Sequence, residues 1–221
     1  MSNDDTPLPP DTPLPPDTPL PPDTPMFPLG SVLSPGGVIP LYVFESRYRA
    51  LMRRCIDNNE PFGVVMIERG SEVGGGEVRS KIGCLANVVE HEEMPDGRWA
   101  VIAVGAERIV VEQWLADDPY PRATVTRWPD VDEQPNDALI LKTTRMLDRV
   151  HTLARSAGYE VPDNKLDLTL KPSALSHQAC LLSPVGPHDR QQLLACAGPV
   201  ERLEKLCDAL DGIAEVLEAQ Q

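Results

Sequence analysis

The stretch from Asp96 to Val125 constrains the fold most tightly. It reads DGRWAVIAVGAERIVVEQWLADDPYPRATV. Pro95-Asp96-Gly97 is a hairpin turn. The two runs after it, Trp99–Gly105 and Glu107–Trp114, are rich in the β-branched and aromatic residues that fit a pleated, half-buried surface. Gly105 marks a bend between them, and Asp117-Asp118-Pro119 forms a second turn before a strand at Arg122–Trp128. Further strands are expected at Phe62–Glu68 and Ile82–Glu90, with Gly74-Gly75-Gly76 as a hairpin tip. The short apolar run Val38–Phe44 carries Pro40, which cannot donate to a ladder and so marks an edge or bent strand. Many short strands with turn signals predict a small, curled, barrel-like sheet over residues 25–130.

One helix interrupts the strands, at Glu45–Asn58. Tyr48, Leu51, Met52, Cys55 and Ile56 recur at i, i+3, i+4, i+7 and i+8, which is one buried face. Arg47, Arg49, Arg53, Arg54 and Asp57 fall largely outside that stripe, and Asn58-Asn59 is a stop. From about Asp132 the period becomes helical. Pro135–Ala157 forms one helix, and Pro172, Pro187 and Pro199 each open another, in the first-turn position where proline costs no hydrogen bond. Leu203, Leu206, Leu210, Ile213 and Leu217 form an a/d stripe. The stripe spans barely two heptads, so packing inside a helical subdomain is favoured over a dimer seam. The predicted class is therefore α+β. A mostly antiparallel, PUA-like β domain over 25–130 precedes an α-helical bundle over 131–221.

The start of the chain is different in kind. Residues 5–22 are three copies of Asp-Thr-Pro-Leu-Pro-Pro, and a fourth, altered copy begins at Asp23. Proline density on this scale favours extended polyproline II. A solvated spacer over residues 1–24 is favoured over a ligand for a proline-binding domain. On that reading, deleting residues 1–24 leaves the melting temperature within a few degrees.

Composition excludes several partners. The formal net charge is −14 over 221 residues, which repels phosphate backbones and anionic membranes. No nucleic-acid partner and no membrane partner is expected. No apolar run reaches the ~18 residues of a spanning helix, and no signal peptide is visible. Cys55, Cys84, Cys180, Cys196 and Cys207 are odd in number and widely spread, which fits reduced structural thiols in a cytoplasm.

Nor does a reactive constellation emerge, and no cofactor is expected. Gly74-Gly75-Gly76 lacks the following Lys-Ser/Thr of a phosphate loop. His91, His151, His177 and His188 offer no i, i+4 pair, and no Cys-x-x-Cys exists, so no metal site is expected. Ser80-Lys81 is the only adjacent Ser-Lys pair. Neighbours on a strand point to opposite faces, which defeats a dyad. Asp117-Asp118 sit in a turn that they solvate. No catalytic residue is assigned.

The order of spaced motifs resembles the substrate-binding N-terminal domain of the Lon protease family, in particular the members that carry that domain alone. The opening is Phe27-Pro28-Leu29, Val32-Leu33, Pro35-Gly36, Pro40-Leu41, Phe44-Glu45 and Arg47-Tyr48. Then come Gly83 in Ile82–Ala86, the Asp96-Gly97-Arg98 turn, Gly105, Arg108 and the turn Asp118-Pro119-Tyr120-Pro121-Arg122-Ala123. Arg190–Leu194 and Glu201-Arg202-Leu203 match the helical end. Ser34 and Tyr42 depart from the pattern. These signature residues are read as mainly structural. The resemblance implies a binding module for unfolded or exposed-apolar polypeptides that does no chemistry, an adaptor or regulator in protein quality control. Two alternatives stay open: a peptidase-like enzyme of another mechanism, or a small-ligand or structural protein that reuses the fold. The candidate contact residues are Phe27, Leu33 and Tyr42. Phe27 and Leu33 are proposed to be partly exposed, because Pro28, Pro35 and Pro40 disturb regular pairing around them. The oligomeric state is left open.

Overall fold

A computed structural model describes residues 20–69 and 78–219. The repeats before residue 20 and the Gly74-Gly75-Gly76 tip lie outside them. The chain is mixed α+β. Its elements are β1 (Thr24–Leu29), β2 (Val38–Val43), α1 (Ser46–Asn58), β3 (Phe62–Arg69), β4 (Val78–Glu93), β5 (Trp99–Trp114) and β6 (Arg122–Arg127), then α2 (Asp137–Ser156), α3 (Pro172–Leu182), α4 (Pro187–Leu194) and α5 (Pro199–Glu218).

The strands form one sheet in the order β2-β5-β4-β3-β1-β6, and β6 also pairs with the far half of β5. That second pairing curls the sheet, while β2 stays outside as a free edge, so the sheet as a whole is not a closed barrel. All pairings are antiparallel except β1 with β3, where Met26 stands opposite Gly63 and Leu29 opposite Met66. The two strands expected on either side of Gly105 are one continuous strand, β5. Gly105 bends it without breaking it. A Cβ there would stand 2.2 Å from the Ser34 carbonyl oxygen. The glycine lets the β1–β2 loop lie directly on β5, with Gly36 N–H donating to Gly105 O and Gly105 N–H to Gly37 O, both at 2.8 Å.

Pro28 lies inside β1, not in a disturbed loop, and the period of two explains why. Met26 N–H faces away from β3 and donates to Pro121 O at 2.8 Å. Pro28, two residues on, faces the same side, beyond the pairing of β1 with β6 at Thr24 and Pro25. Its missing N–H costs no ladder bond.

Three apolar clusters hold the fold. One lies between α1 and the sheet and contains Phe27, Leu33, Tyr48, Leu51, Met52 and Phe62. A second, with Met26, Val65, Leu85 and Ile109, lies on other side chains of the same strands. The third is helical and joins Leu147, Leu175, Leu203, Leu206, Leu210 and Leu217. The a/d stripe of α5 is thus consumed by packing within the chain. Helix α1 stops where the sequence suggests: Asn59 is left-handed at φ 50°, and its N–H returns to the carbonyls of Cys55 and Ile56.

A buried polar knot ties the helices to the sheet. Arg108 of β5 stacks on Trp128 at 4.2 Å and donates to Leu194 O at 2.8 Å and Cys196 O at 2.5 Å. Its guanidinium also pairs with Asp130. Arg202 of α5, fully buried, donates to both Asp130 oxygens at 2.6 and 2.8 Å and to Leu193 O at 3.1 Å. Ser173 of α3 adds a hydroxyl to Asp130 at 2.6 Å. One carboxylate therefore gathers β5, α3 and α5.

The tail boundary shifts. The proline pattern predicts a spacer through residue 24, yet residues 20–24 dock. Leu20 packs on the second cluster, Pro22 O accepts from Thr124 Oγ1 at 3.1 Å, and Thr24 is buried. Asp23 binds Arg54 at 3.0 and 3.2 Å, and Arg54 also pairs with Glu60. The altered fourth repeat carries Met26 and Phe27 where the other copies carry Leu-Pro, and those side chains pull it into the core. Deleting residues 1–24 is therefore expected to lower the melting temperature by several degrees, because it removes buried Thr24 and the start of β1. Deletion of 1–19, a proline-dense repeat with few apolar side chains, is expected to leave it within about 2 °C. Thermal melts of the two truncations check this, and equal midpoints would refute docking of 20–24.

Candidate functional site

β2 is the outermost strand, paired on one side with β5 from Val38–Val104 to Val43–Trp99. Because Gly37 O accepts from Gly105 N–H, the period of two turns the backbone groups of Ile39, Leu41 and Val43 toward β5 and those of Val38, Pro40 and Tyr42 toward the open edge. Pro40 removes a donor from the middle of that edge. An exposed edge normally templates further pairing, and a proline blunts it.

The side chains alternate in the same way. Leu41 and Val43 enter the core, while Val38 is 65% exposed and Tyr42 51%. Phe44, immediately after the strand, is 58% exposed. Together they form a row of apolar side chains along an unpaired edge. A groove of about 300 Å³ lies on one side of Tyr42, lined by Phe27, Leu29, Ile39, Phe44 and Tyr48 among others. A second, of about 510 Å³, is lined by Pro40, Tyr42, Glu90, His91 and Ile102 among others. The Arg98 guanidinium stands 5.2 Å from the Tyr42 ring centroid and pairs with Asp96 at 2.6 Å. Tyr42 Oη donates to Met94 Sδ at 3.7 Å. The hairpin tip of β4 and β5 thus supplies a polar rim beside an apolar row.

Of the three contact residues read from sequence, the structure leaves only Tyr42 on the surface. Phe27 is 8% exposed and stacks on Tyr48 with centroids 4.1 Å apart, and Leu33 is 4% exposed. Pro28 and Pro40 turn their missing N–H groups away from the paired strand, and Pro35 lies in the turn between β1 and β2, so pairing is not disturbed and the expected exposure is not found. The same edge exposes Val38 and Phe44, which the sequence does not single out. Val38–Phe44 is apolar on both faces, so alternation carried no signal. The one clue was Pro40, which fixes β2 at an edge. Several signature positions make contacts within the fold. Glu45 and Arg47 pair at 3.0 Å at the start of α1, Gly97 takes φ 78° in the hairpin turn, and Tyr120 is buried with its hydroxyl 3.4 Å from Arg54.

Ser80 is buried and donates to Glu68 at 2.7 Å, while Lys81 is exposed on the opposite face of β4. All five cysteines are free and buried. Burial pushes the Cys55 and Cys84 thiols far above their ordinary range and that of Cys180 up to about 12, so these three stay protonated and unreactive. Among the described residues, no three His, Cys, Asp or Glu side chains gather as metal ligands, and no helix is long and apolar enough to cross a membrane.

Residues 23–212 match the profile of the ATP-dependent protease La (LON) substrate-binding domain. Curated relatives are Lon proteases. That of Parabacteroides distasonis is 28% identical over 85% of this chain, and that of Nitratidesulfovibrio vulgaris is 28% identical over 82%. Each match takes in 23% of the relative, so the chain spans about a quarter of their length. The crystal structure of a Lon N-terminal domain protein from Xanthomonas campestris is similar at TM-score 0.64 and 27% identity, covering 84% of this chain and 97% of that one. The N-terminal domain of a Mycobacterium avium complex Lon protease shares the fold at TM-score 0.58 and 20% identity, covering 86% of this chain and 98% of that one. The profile match covers most of the chain and the fold agrees with it: this chain belongs to the LON substrate-binding domain family.

Proposed function

We propose that this chain is a non-catalytic polypeptide-binding module that holds extended, apolar segments along the β2 edge and serves as an adaptor or regulator in protein quality control. The family supports a polypeptide-binding role. The observation that carries the location is the row Val38, Tyr42 and Phe44, exposed together along the edge of β2 that has no partner strand among the described residues. Pro40 interrupts the donors of that edge, so a client is held chiefly by side chains in the two flanking grooves and only in part by main-chain bonds. That mode suits clients of varied sequence, since apolar contacts are non-directional. The net charge of −14 argues against nucleic acid as the partner. Five buried free thiols fit a reducing compartment such as the cytoplasm.

The test is a double variant, Tyr42→Ser with Phe44→Ser, assayed against a reduced, unfolded model protein. Binding is expected to fall about tenfold or more, as for loss of two aromatic anchors, with the melting temperature nearly unchanged. Phe27→Ser is expected instead to destabilise the fold by about 3–5 kcal/mol, as for other emptied aromatic core sites. Undiminished binding by the double variant would place the client elsewhere.

A further inference from the structure

Sequence alone favours a solvated spacer for the proline repeats, but the structure sets a matching surface within their reach. The groove of about 300 Å³ beside Tyr42 is lined by four aromatic residues, Phe27, Tyr42, Phe44 and Tyr48, and by Pro28 and Pro40. Phe27 and Tyr48 stack on one another as its floor, while Tyr42 and Phe44 stand about half-exposed as its walls. Pro40 takes a donor out of the bordering edge, so the groove suits a ligand that does not rely on ladder bonds. Polyproline II is such a ligand, since it has no internal hydrogen bonds and docks in aromatic-lined grooves.

The chain carries that ligand itself. Residues 5–16 are two full copies of Asp-Thr-Pro-Leu-Pro-Pro. At about three residues per turn, polyproline II would align Pro7, Pro10, Pro13 and Pro16 as one ridge, with Leu8, Asp11 and Leu14 on the next. The proline ridge then meets the rings, and the leucines beside it add apolar area.

Two anchors fix where the repeats leave the fold. Asp23 binds Arg54, which stands less than two turns, about 9 Å, along α1 from Tyr48. Thr24 opens β1, which delivers Phe27 to the groove about 10 Å further on. Residues 1–19, outside the described ones, reach roughly 59 Å when extended, at ~3.1 Å per residue. That length covers the way back to the groove and leaves residues enough to reverse direction.

Charge selects this groove over its neighbour. The larger groove beside Tyr42 is lined by Glu90 and Glu92, with no lysine or arginine among the described residues, and it repels the repeat aspartates. In the smaller one the carboxylate, Glu45, is already paired with Arg47 at 3.0 Å. Arg49 follows Glu45 by one helical turn, lies against Gly97 of the hairpin turn and has no ion pair among the described residues. It gives a repeat aspartate a partner.

We propose that this groove is occupied by the chain's own proline repeats, residues 5–16, held as polyproline II, and that a client must displace them. Docking of the repeats stands on the groove alone; displacement rests also on the β2 edge being the client site. Repeats that fill the groove about two-thirds of the time lower the apparent client affinity about threefold. That factor corresponds to about 0.6 kcal/mol of stability, or about 2 °C, in keeping with the small shift expected on deleting 1–19.

Ring-proton NMR of the full chain tests this against a full-length variant carrying Pro7→Ser, Pro9→Ser, Pro10→Ser, Pro13→Ser, Pro15→Ser and Pro16→Ser. The expected result is a change at the Tyr42 and Phe44 rings, with buried Tyr120 unmoved as the internal control. A synthetic peptide of residues 5–16 should return the variant's ring signals toward the wild-type positions in a saturable way, and the same peptide with glycine for proline should not. The variant should also bind a reduced, unfolded model protein about threefold tighter than wild type. Identical Tyr42 and Phe44 signals in the two proteins, or equal responses to the two peptides, would overturn docking. A difference that fades on dilution would also overturn it, because the occupant would then be the tail of a second copy. Ring changes with unchanged client affinity would uphold docking, overturn displacement and place the client elsewhere.

Discussion

Asp130→Ala is expected to cost about 3–5 kcal/mol of stability, the usual penalty for breaking a buried ion pair from one side. The change strands two guanidiniums, Arg108 and Arg202, at the junction of sheet and helices. Each keeps main-chain carbonyl partners, but neither keeps a counter-charge. At about 2–4 °C per kcal/mol for a chain of this size, the melting temperature should fall roughly 6–20 °C. Asp163→Ala is the control, since that carboxylate is almost fully exposed against Arg155 and should cost less than about 0.5 kcal/mol. The loss should also depend on pH. Burial pushes the Asp130 carboxyl up, but hydrogen bonds from Arg202 and Ser173 and the two guanidinium charges outweigh it and hold it below the usual carboxylate range. A carboxyl depressed on folding stabilises the native state above its unfolded pKa of about 3.9. That contribution fades as pH falls toward the folded value. Urea titrations at neutral pH and at successively lower pH should show the gap between wild type and Asp130→Ala closing below about pH 4. A gap that is small at neutral pH, or that widens with acid, would remove Asp130 from this role.

The second large effect lies on α1. Leu51→Ala should destabilise by about 2–5 kcal/mol, because Leu51 is fully buried between α1 and the sheet and the site cannot fully collapse. Arg53, two residues on, points the other way. It pairs with Glu93 at 2.5 Å and lies 5.6 Å from the Trp99 ring centroid, with both charged groups well exposed. Arg53→Ala should cost less than about 1 kcal/mol, as for exposed ion pairs. Denaturant midpoints of the two variants decide the matter, and equal losses would reverse the face assigned to the helix.

Both effects sit on residues with very different legibility. Leu51 is visible in sequence, because Tyr48, Leu51, Met52 and Cys55 repeat at the helical period and all four are buried. The helix starts at Pro172, Pro187 and Pro199 are visible for a similar local reason and coincide with the observed first turns. Asp130 gives no such signal. It follows a proline in a linker, and its partners lie 22 and 72 residues away.

Local periodicity and turn chemistry thus determined the α+β class, the single helix among the strands and the buried face of α1, since these depend on neighbours within a few positions. Tertiary structure alone decided the rest. The pairing of β1 with β3 made Pro28 harmless and buried Phe27. The open edge of β2 exposed Val38, Tyr42 and Phe44. The meeting of β5, α3 and α5 around Asp130 buried two arginines on one carboxylate. Each depends on which distant segments meet, and a run that is apolar on both faces, like Val38–Phe44, does not encode which face another strand will cover.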